Sequence, residues 1–225
     1  GALIKALKDG ALSKYNLNGG TPDISELVGE GKRILVPGQV EDDASVRTGT
    51  DTTRTNRALL EAARNANPDA VILYKPHPDV EAGLRTGAID ASTLADQVLD
   101  RCDPIPLLDM VDEVWTMTSL LGFEALLREV KVVTLGAPFY AGWGLTEDRG
   151  DVPPRRRTDV SLEGLVHATL IDYPRYFDPK SGLACPVEVI VARLASGDVP
   201  HPGAANRLLS KLQGLLASQS HLWRG

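Results

Sequence analysis

Ala70-Val71-Ile72-Leu73-Tyr74-Lys75-Pro76-His77-Pro78-Asp79 is an apolar run that stops abruptly in polar chemistry bracketed by prolines. A continuous run of this kind, with Val71 and Ile72 β-branched, reads as a strand buried on both faces, as in a parallel sheet. Each proline fixes its own φ and pushes the preceding residue toward extended backbone. Lys75 and His77 are therefore expected to be held extended, with side chains aimed off the sheet edge. In open α/β sheets that carboxyl edge is where ligands bind.

Working outward, the same pattern recurs. Ile34-Leu35-Val36-Pro37, Glu113-Val114-Trp115-Thr116 and Lys131-Val132-Val133-Thr134 read as further strands, with a short one around Gln97-Val98-Leu99. Helical segments fall between them: Arg54 to Asn65 with Leu59, Leu60 and Ala63 on one face, a stretch near Pro106 to Met110, and Gly122 to Arg128. Short apolar strands alternating with helices predict a parallel, doubly wound α/β sheet with helices on both faces. Residues 1–31 read as a leading helix and a loop (Asn16 to Gly20), and 32–150 as the α/β domain. Pro153-Pro154-Arg155-Arg156-Arg157 reads as an exposed linker opening a C-terminal helical extension over 151–225. That extension holds a helix from Leu162 to about Ile171, capped by Ser161 with Glu163 in its first turn. Two more are expected, near Pro186 to Ser196 and Ala204 to Leu216.

The chain has 225 residues, 43% of them hydrophobic and 24% charged, ordinary for a globular protein with a proper core. A net charge of −6 argues against nucleic acid as partner, because phosphate contacts need a basic surface. Cys102 and Cys185 are too few for a disulfide framework or a metal knuckle, which points to a reducing, cytoplasmic setting and no metal. No signal peptide is visible, and no apolar run approaches the roughly 20 residues that span a bilayer. The chain begins at Gly1 without an initiator Met, and a piece of a longer protein is expected.

Three polar loops carry the chemistry. Lys75 is a point charge suited to phosphate and His77 can donate to a phosphate oxygen; the plainer reading is a rigid strand-to-loop turn. Gln39-Val40-Glu41-Asp42-Asp43 packs three carboxylates after the first strand. One can serve as nucleophile or base, or they can bind a divalent metal or cap the next helix. In Thr118-Ser119-Leu120-Leu121-Gly122-Phe123-Glu124 a strand gives way to a helix with Thr118 or Ser119 as N-cap. Its free N–H groups make an anion site, or simply an ordinary capped helix. Gly122 would admit a ligand or a neighbouring strand, and Glu124 would reach a ribose hydroxyl. Converging at one edge, the three loops suggest a nucleotide-sugar site. Phe139, Tyr140 and Trp143, in a Gly-rich loop, are expected at the cleft with faces open to a sugar or base. His167, His201 and His221 lack acidic or cysteine partners at ligand spacing and read as structural or surface residues. No Ser/His/Asp triad, P-loop or dinucleotide fingerprint is present.

Val36-Pro37-Gly38-Gln39-Val40-Glu41-Asp42-Asp43, Tyr74 to Val80, Thr118 to Leu126 and Gly136 to Thr146 together resemble, in order, the bacterial capsule polysaccharide biosynthesis family, specifically KpsC-type β-Kdo transferases. The resemblance implies a Rossmann-like domain, the nucleotide-binding half of a two-Rossmann-domain (GT-B) glycosyltransferase whose N-terminal half lies outside this chain. It implies retaining transfer from CMP-Kdo to a lipid-linked Kdo acceptor, building a Kdo linker on a phosphatidylglycerol-type lipid for capsule assembly and export. No cofactor is implied beyond that donor, and the setting is cytoplasmic or peripheral at the inner membrane of a Gram-negative cell, within a capsule assembly complex. On this pattern Asp43 is the essential carboxylate, with Gln39 and Glu41 beside it. Lys75, His77, Pro78, Thr118, Ser119, Gly122 and Glu124 hold CMP, and Tyr140 and Trp143 meet the sugar or acceptor. A KpsS-type initiating transferase and a nucleotide-binding or assembly module inactive on its own stand as alternatives.

Overall fold

The computed structural model describes residues 1–10, 12, 29–156 and 158–199. The chain divides into two compact units, Gly1–Pro174 and Arg175–Gly225.

In the first unit, helix α1 (Ala2–Asp9) precedes strand β1 (Arg33–Pro37), and α2 (Ala44–Gly49) and α3 (Asn56–Ala66) lead to β2 (Val71–Lys75). A short α4 (Pro78–Glu81), β3 (Gln97–Val98) and α5 (Pro104–Leu108) follow, then β4 (Glu113–Thr116), α6 (Leu120–Leu127) and β5 (Lys131–Thr134). After the aromatic loop come β6 (Glu147–Asp148) and α7 (Leu162–His167), which runs on as a π-helical turn over Ala168–Asp172. The six strands form one sheet in the order β3-β2-β1-β4-β5-β6, every neighbouring pair parallel. This is the Rossmann-type doubly wound order, with its switch point between β1 and β4.

The period-2 pleat sorts the strand residues onto two faces. Leu35, Leu73, Val114 and Val132 pack with Ile105, Leu107 and Leu108 of α5 and Phe123 and Leu126 of α6, where α1 also packs through Leu3, Ile4 and Leu7. On the opposite face Ile34, Val36, Ile72, Tyr74, Trp115 and Val133 meet Val46 of α2 and Leu59, Leu60 and Ala63 of α3. Burying a Leu or Ile completely stabilises the fold by about 1.5–3 kcal/mol relative to exposure. Polar residues on both sides of this sheet would therefore cost it dearly, and the runs are continuous for that reason.

Where helices begin differs from the sequence reading by a few residues, and capping explains each shift. Helix α5 starts at Pro104, because Asp103 caps it by accepting from the Ile105 amide. Helix α6 starts directly after Ser119, whose hydroxyl accepts from the Leu121 amide. The proline-bracketed stretch is not wholly extended: His77 caps the one-turn helix α4, with Pro78 at its first position, where a missing N–H costs nothing. The segment Pro153 to Arg156 is tied down rather than a free linker, since the Arg156 guanidinium donates to the carbonyls of Pro138 and Ala141.

In the second unit an antiparallel hairpin of β7 (Tyr176–Phe177) and β8 (Ala184–Cys185), which the helical reading of this region did not anticipate, precedes α8 (Val187–Ala195). Asp178 in the hairpin turn accepts from the Arg193 guanidinium of α8, the Lys180 amide and the Ser181 hydroxyl. The helix expected at Ala204–Leu216, the Asn16–Gly20 loop, His201 and His221 lie outside the described residues.

Candidate active site

The loops after β1, β2 and β4 meet at the switch point and enclose a cleft of about 400 Å³. Gln39, Asp43 and Ser45 line it from the first loop, Lys75, His77, Pro78 and Arg85 from the second, and Thr118, Ser119 and Glu124 from the third. Phe139 closes one wall. The three expected loops thus share one cavity, though their side chains do different work within it.

Gln39 is a brace. Its side-chain oxygen accepts from the Thr116 hydroxyl at 3.1 Å and from the amides of Met117 and Thr118 at 3.1 and 3.0 Å. Its amide nitrogen donates to the Thr118 hydroxyl at 2.9 Å. One buried side chain therefore ties the ends of β1 and β4 together across the switch point, and its polar atoms are spent on protein rather than on a reacting group. Asn56, which the sequence reading passed over, holds the same loop from the other side. It accepts from the Gln39 amide and donates to the carbonyls of Gln39 and Gly87, each at 2.8 Å.

The three clustered carboxylates separate. Glu41 turns away from the cleft and accepts from the Asn56 amide at 2.7 Å, satisfying an open N–H at the start of α3. Asp42 pairs with Arg85 at 2.9 Å, and that guanidinium holds its carboxyl below the usual carboxylate range. Asp43 alone of the three lines the cleft. It caps α2, its Oδ1 accepting from the Ser45 amide at 2.8 Å and the Ser45 hydroxyl at 2.7 Å. Ser45 in turn accepts from the Thr118 hydroxyl at 3.4 Å. A chain of donors thus runs from Gln39 through Thr118 and Ser45 to the Asp43 carboxylate.

Lys75 departs from expectation. Rather than projecting as an exposed point charge, its side chain is only 4% exposed and its ammonium donates to Glu81 at 3.1 Å and the Pro76 carbonyl at 2.8 Å. An unpaired buried ammonium is costly, and the one-turn helix α4 brings Glu81 back to neutralise it. Glu81 also accepts from the Arg101 amide, so the pair anchors the wall that carries His77. His77 Nδ1 accepts from the Asp79 amide at 3.1 Å. Its 3.9 Å separation from the Asp79 carboxylate is not an ion pair in this arrangement, since an accepting Nδ1 carries no proton. The ring proton is then on Nε2, where it can be donated.

Ser119 begins α6, an eight-residue helix whose N-terminus opens on the cleft. Glu124 lines the cleft one turn in and is 9% exposed. Gly122 serves packing rather than a ligand: a Cβ there would lie 2.2 Å from the Tyr140 hydroxyl oxygen. Tyr140 is wholly buried, donates to the Ser119 carbonyl at 2.5 Å, and stacks with Phe123 at 6.3 Å between centroids. Burial, aided by Glu124 and Asp148, pushes its phenol pKa far up. Tyr140 is therefore a core residue that supports the α6 N-terminus from below. Trp143 does not line the cleft; its indole N–H donates to the Phe139 carbonyl at 2.8 Å and its ring lies under Arg156. Of the three aromatics only Phe139 reaches the cavity.

The aromatic loop is folded back by Asp148, which accepts from the hydroxyls of Thr134 and Thr146 and from the Gly142 amide. That role had no signal in the sequence, because β6 is only two residues long. His167 does have an acidic partner, Asp172 at 2.9 Å, but on an exposed helical surface. Among the described residues no group of His, Cys, Asp and Glu is arranged to hold a metal ion. Among them, too, no helix is long and apolar enough to cross a membrane.

The chain is similar to known proteins in sequence and in structure. LipA of Neisseria meningitidis serogroup A, described as a capsule polysaccharide modification protein, is 49% identical over 189 residues, which are 83% of this chain and 26% of that protein. LpsZ of Rhizobium meliloti, a lipopolysaccharide-processing protein, is 43% identical over 187 residues, 82% of this chain and 42% of that protein. The chain thus spans between about a quarter and two fifths of the length of these relatives. Among solved structures, the β-Kdo 2,4 transferase of Thermosulfurimonas dismutans KpsC superposes with a TM-score of 0.78 at 33% identity, over 86% of this chain and 61% of that one. The β-Kdo 2,7 transferase of the same KpsC gives 0.72 at 34% identity, over 88% and 60%. The family model described as capsule polysaccharide biosynthesis protein matches residues 21–176, and the chain belongs to that family.

Proposed function

We propose that this chain is the nucleotide-sugar-binding half of a retaining β-Kdo glycosyltransferase. CMP-Kdo is its donor and a lipid-linked Kdo chain on a phosphatidylglycerol-type lipid its acceptor, at the cytoplasmic face of the inner membrane where capsule is assembled. The observation that carries the reading is the meeting of Asp43, His77 and the Ser119 helix terminus in one cleft at the sheet's switch point. The solved Kdo transferases to which the chain is similar support this substrate class.

In this reading the Nε2 proton of His77 and the amides at the start of α6 hold the CMP phosphate, and Glu124 faces the ribose. Asp43 faces the anomeric carbon, as nucleophile or as the charge that stabilises the oxocarbenium character developing there as the phosphate departs. Gln39 and Ser45 fix the loop that presents it. Lys75 acts through α4 by locking the His77 wall, and the second Rossmann half supplies the other side of the cleft and the acceptor. Calorimetry with CMP tests the nucleotide site directly. Saturable binding that weakens in His77→Ala is expected, and no heat at millimolar CMP overturns the reading. A KpsS-type donor site would give the same result, and transfer assays with acceptors of different Kdo length separate the two.

A further inference from the structure

The cleft is lined by the carboxylates of Asp43, Asp79 and Glu124, so an anionic sugar placed against Asp43 needs a compensating cation close by. Lys75 is buried against Glu81, and His77 Nδ1 is taken up by the Asp79 amide. Among the described residues the remaining basic side chain lining the cavity is Arg85. Its segment is fastened to the β1 loop at two points directly and at a third through Asn56 of α3. The Glu41 amide donates to the Thr86 carbonyl at 3.2 Å, Asn56 to the Gly87 carbonyl at 2.8 Å, and Arg85 itself to Asp42 at 2.9 Å. Gly87 permits the close approach: its φ is +132°, and a Cβ there would lie 2.7 Å from the Gln39 carbonyl. Arg85 is thereby held next to the residue preceding Asp43. Asp42 lies outside the cavity lining, and its carboxylate is 55% exposed.

We propose that Arg85 is the subsite for the carboxylate of the donor sugar, exchanging the exposed Asp42 carboxylate for that of the substrate. The inference rests on the nucleotide-sugar reading above and adds its acid-recognising residue. In a 2-keto-3-deoxy sugar acid the carboxylate is bonded to the anomeric carbon itself, so its cation must stand beside the group that faces that carbon. Arg85 is tethered in that place. A guanidinium offers a planar fork matched to a carboxylate, and an exposed ion pair such as Arg85–Asp42 opens at little cost. The arrangement favours donors that carry an acid at the anomeric centre over neutral nucleotide sugars.

The test compares CMP with CMP-Kdo by calorimetry on the chain and its variants, with melting curves to verify folding. In the parent protein CMP-Kdo binds more tightly than CMP. Arg85→Ala is expected to remove most of that difference, roughly tenfold, the scale of one charge-assisted bidentate contact, while leaving CMP affinity within about twofold. Arg85→Lys recovers only part, because an ammonium cannot form the fork, and it carries the test should the alanine variant fail to fold. Asp42→Asn keeps the difference. Equal preference for CMP-Kdo in parent and Arg85→Ala overturns the inference, as does its loss in Asp42→Asn, which would make the pair a loop tie only. CMP binding with no added affinity for CMP-Kdo overturns the inference while leaving the nucleotide site standing. No CMP binding at all overturns both.

Discussion

Gly122 and Tyr140 are interlocked: the phenol ring occupies the space where any larger residue at position 122 would place its Cβ, 2.2 Å from the hydroxyl oxygen. The same hydroxyl donates to the carbonyl of Ser119, the cap of α6. Gly122→Ala should therefore destabilise the first unit by about 1–3 kcal/mol, the usual cost of overpacking a close-packed core. Tyr140→Phe, which relieves the contact, should recover part of the loss in the double variant. Denaturant melts of the two single variants and the double one decide this, and additive losses would show that the two positions do not touch.

The Lys75–Glu81 pair makes a different kind of prediction. Removing one partner of a buried ion pair leaves the other charge stranded, at about 3–5 kcal/mol, whereas replacing both with apolar residues is often neutral. Glu81→Leu should sharply lower the melting temperature, and Lys75→Met with Glu81→Leu should restore most of it. A single-variant loss as small as that of an exposed pair would show that Lys75 faces solvent and is open to a ligand after all.

These two relationships mark how far the sequence could be read. The four central strands β1, β2, β4 and β5 were legible because burial on two sides forces continuous Val, Ile and Leu, and this pattern survives without any knowledge of partners; the two-residue β6 carries no such run and was not. The three loops were legible as a cleft because strand ends in a parallel sheet point the same way. What each loop residue does was not, since it depends on long-range partners. Glu41 and Asp43 are equivalent in sequence, yet Glu41 finds the Asn56 amide and Asp43 finds Ser45. Lys75 looked exposed because the α4 turn that returns Glu81 to it is a single turn, below the length at which helical periodicity shows. Tyr140 looked like a loop aromatic because glycines surround it. Its partner Gly122 lies 18 residues earlier, in a helix that is apolar apart from Glu124.

His77 carries two roles that substitution can separate. As an N-cap it accepts from the Asp79 amide, a task Asn performs equally well. As a donor toward phosphate through Nε2 it has no such substitute. His77→Asn is expected to keep the melting temperature while weakening CMP binding by about 1–3 kcal/mol, as for the loss of a hydrogen bond to a charged group. His77→Ala should lose both. Unchanged CMP affinity in His77→Asn would confine the residue to capping.

In the second unit Asp178 gives a pH signature. Hydrogen bonds from Arg193, with further ones from the Lys180 amide and the Ser181 hydroxyl, draw its pKa from an ordinary 3.8 down to about 2. The folded value lies below the unfolded one, so this stabilisation is complete above about pH 4. It fades as the pH falls toward 2 and protonates the folded carboxylate. Hydrogen exchange of the hairpin amides should show protection falling across that window, and Arg193→Gln should flatten the dependence. An identical acid profile in the variant would assign the acid sensitivity to other groups.

Asp43 offers the sharpest separation of structure from chemistry. Its Oδ1 caps α2, and Asn caps as well as Asp, so Asp43→Asn preserves the fold while removing the negative charge. Asp43→Ala loses the cap too, at about 0.5–2 kcal/mol. If the carboxylate acts at the anomeric carbon, Asp43→Asn in the full-length transferase should abolish transfer, with melting temperature and CMP affinity near those of the parent. Asp43→Ala should be equally inactive and measurably less stable. Transfer by Asp43→Asn at the parental rate would remove Asp43 from the mechanism. Glu41 would be a poor replacement, since its carboxylate is bound to the start of α3 on the far side of the loop. Glu124 would then be the carboxylate to test, because it lines the same cleft from the first turns of α6, after β4, as Asp43 lines it from the loop after β1.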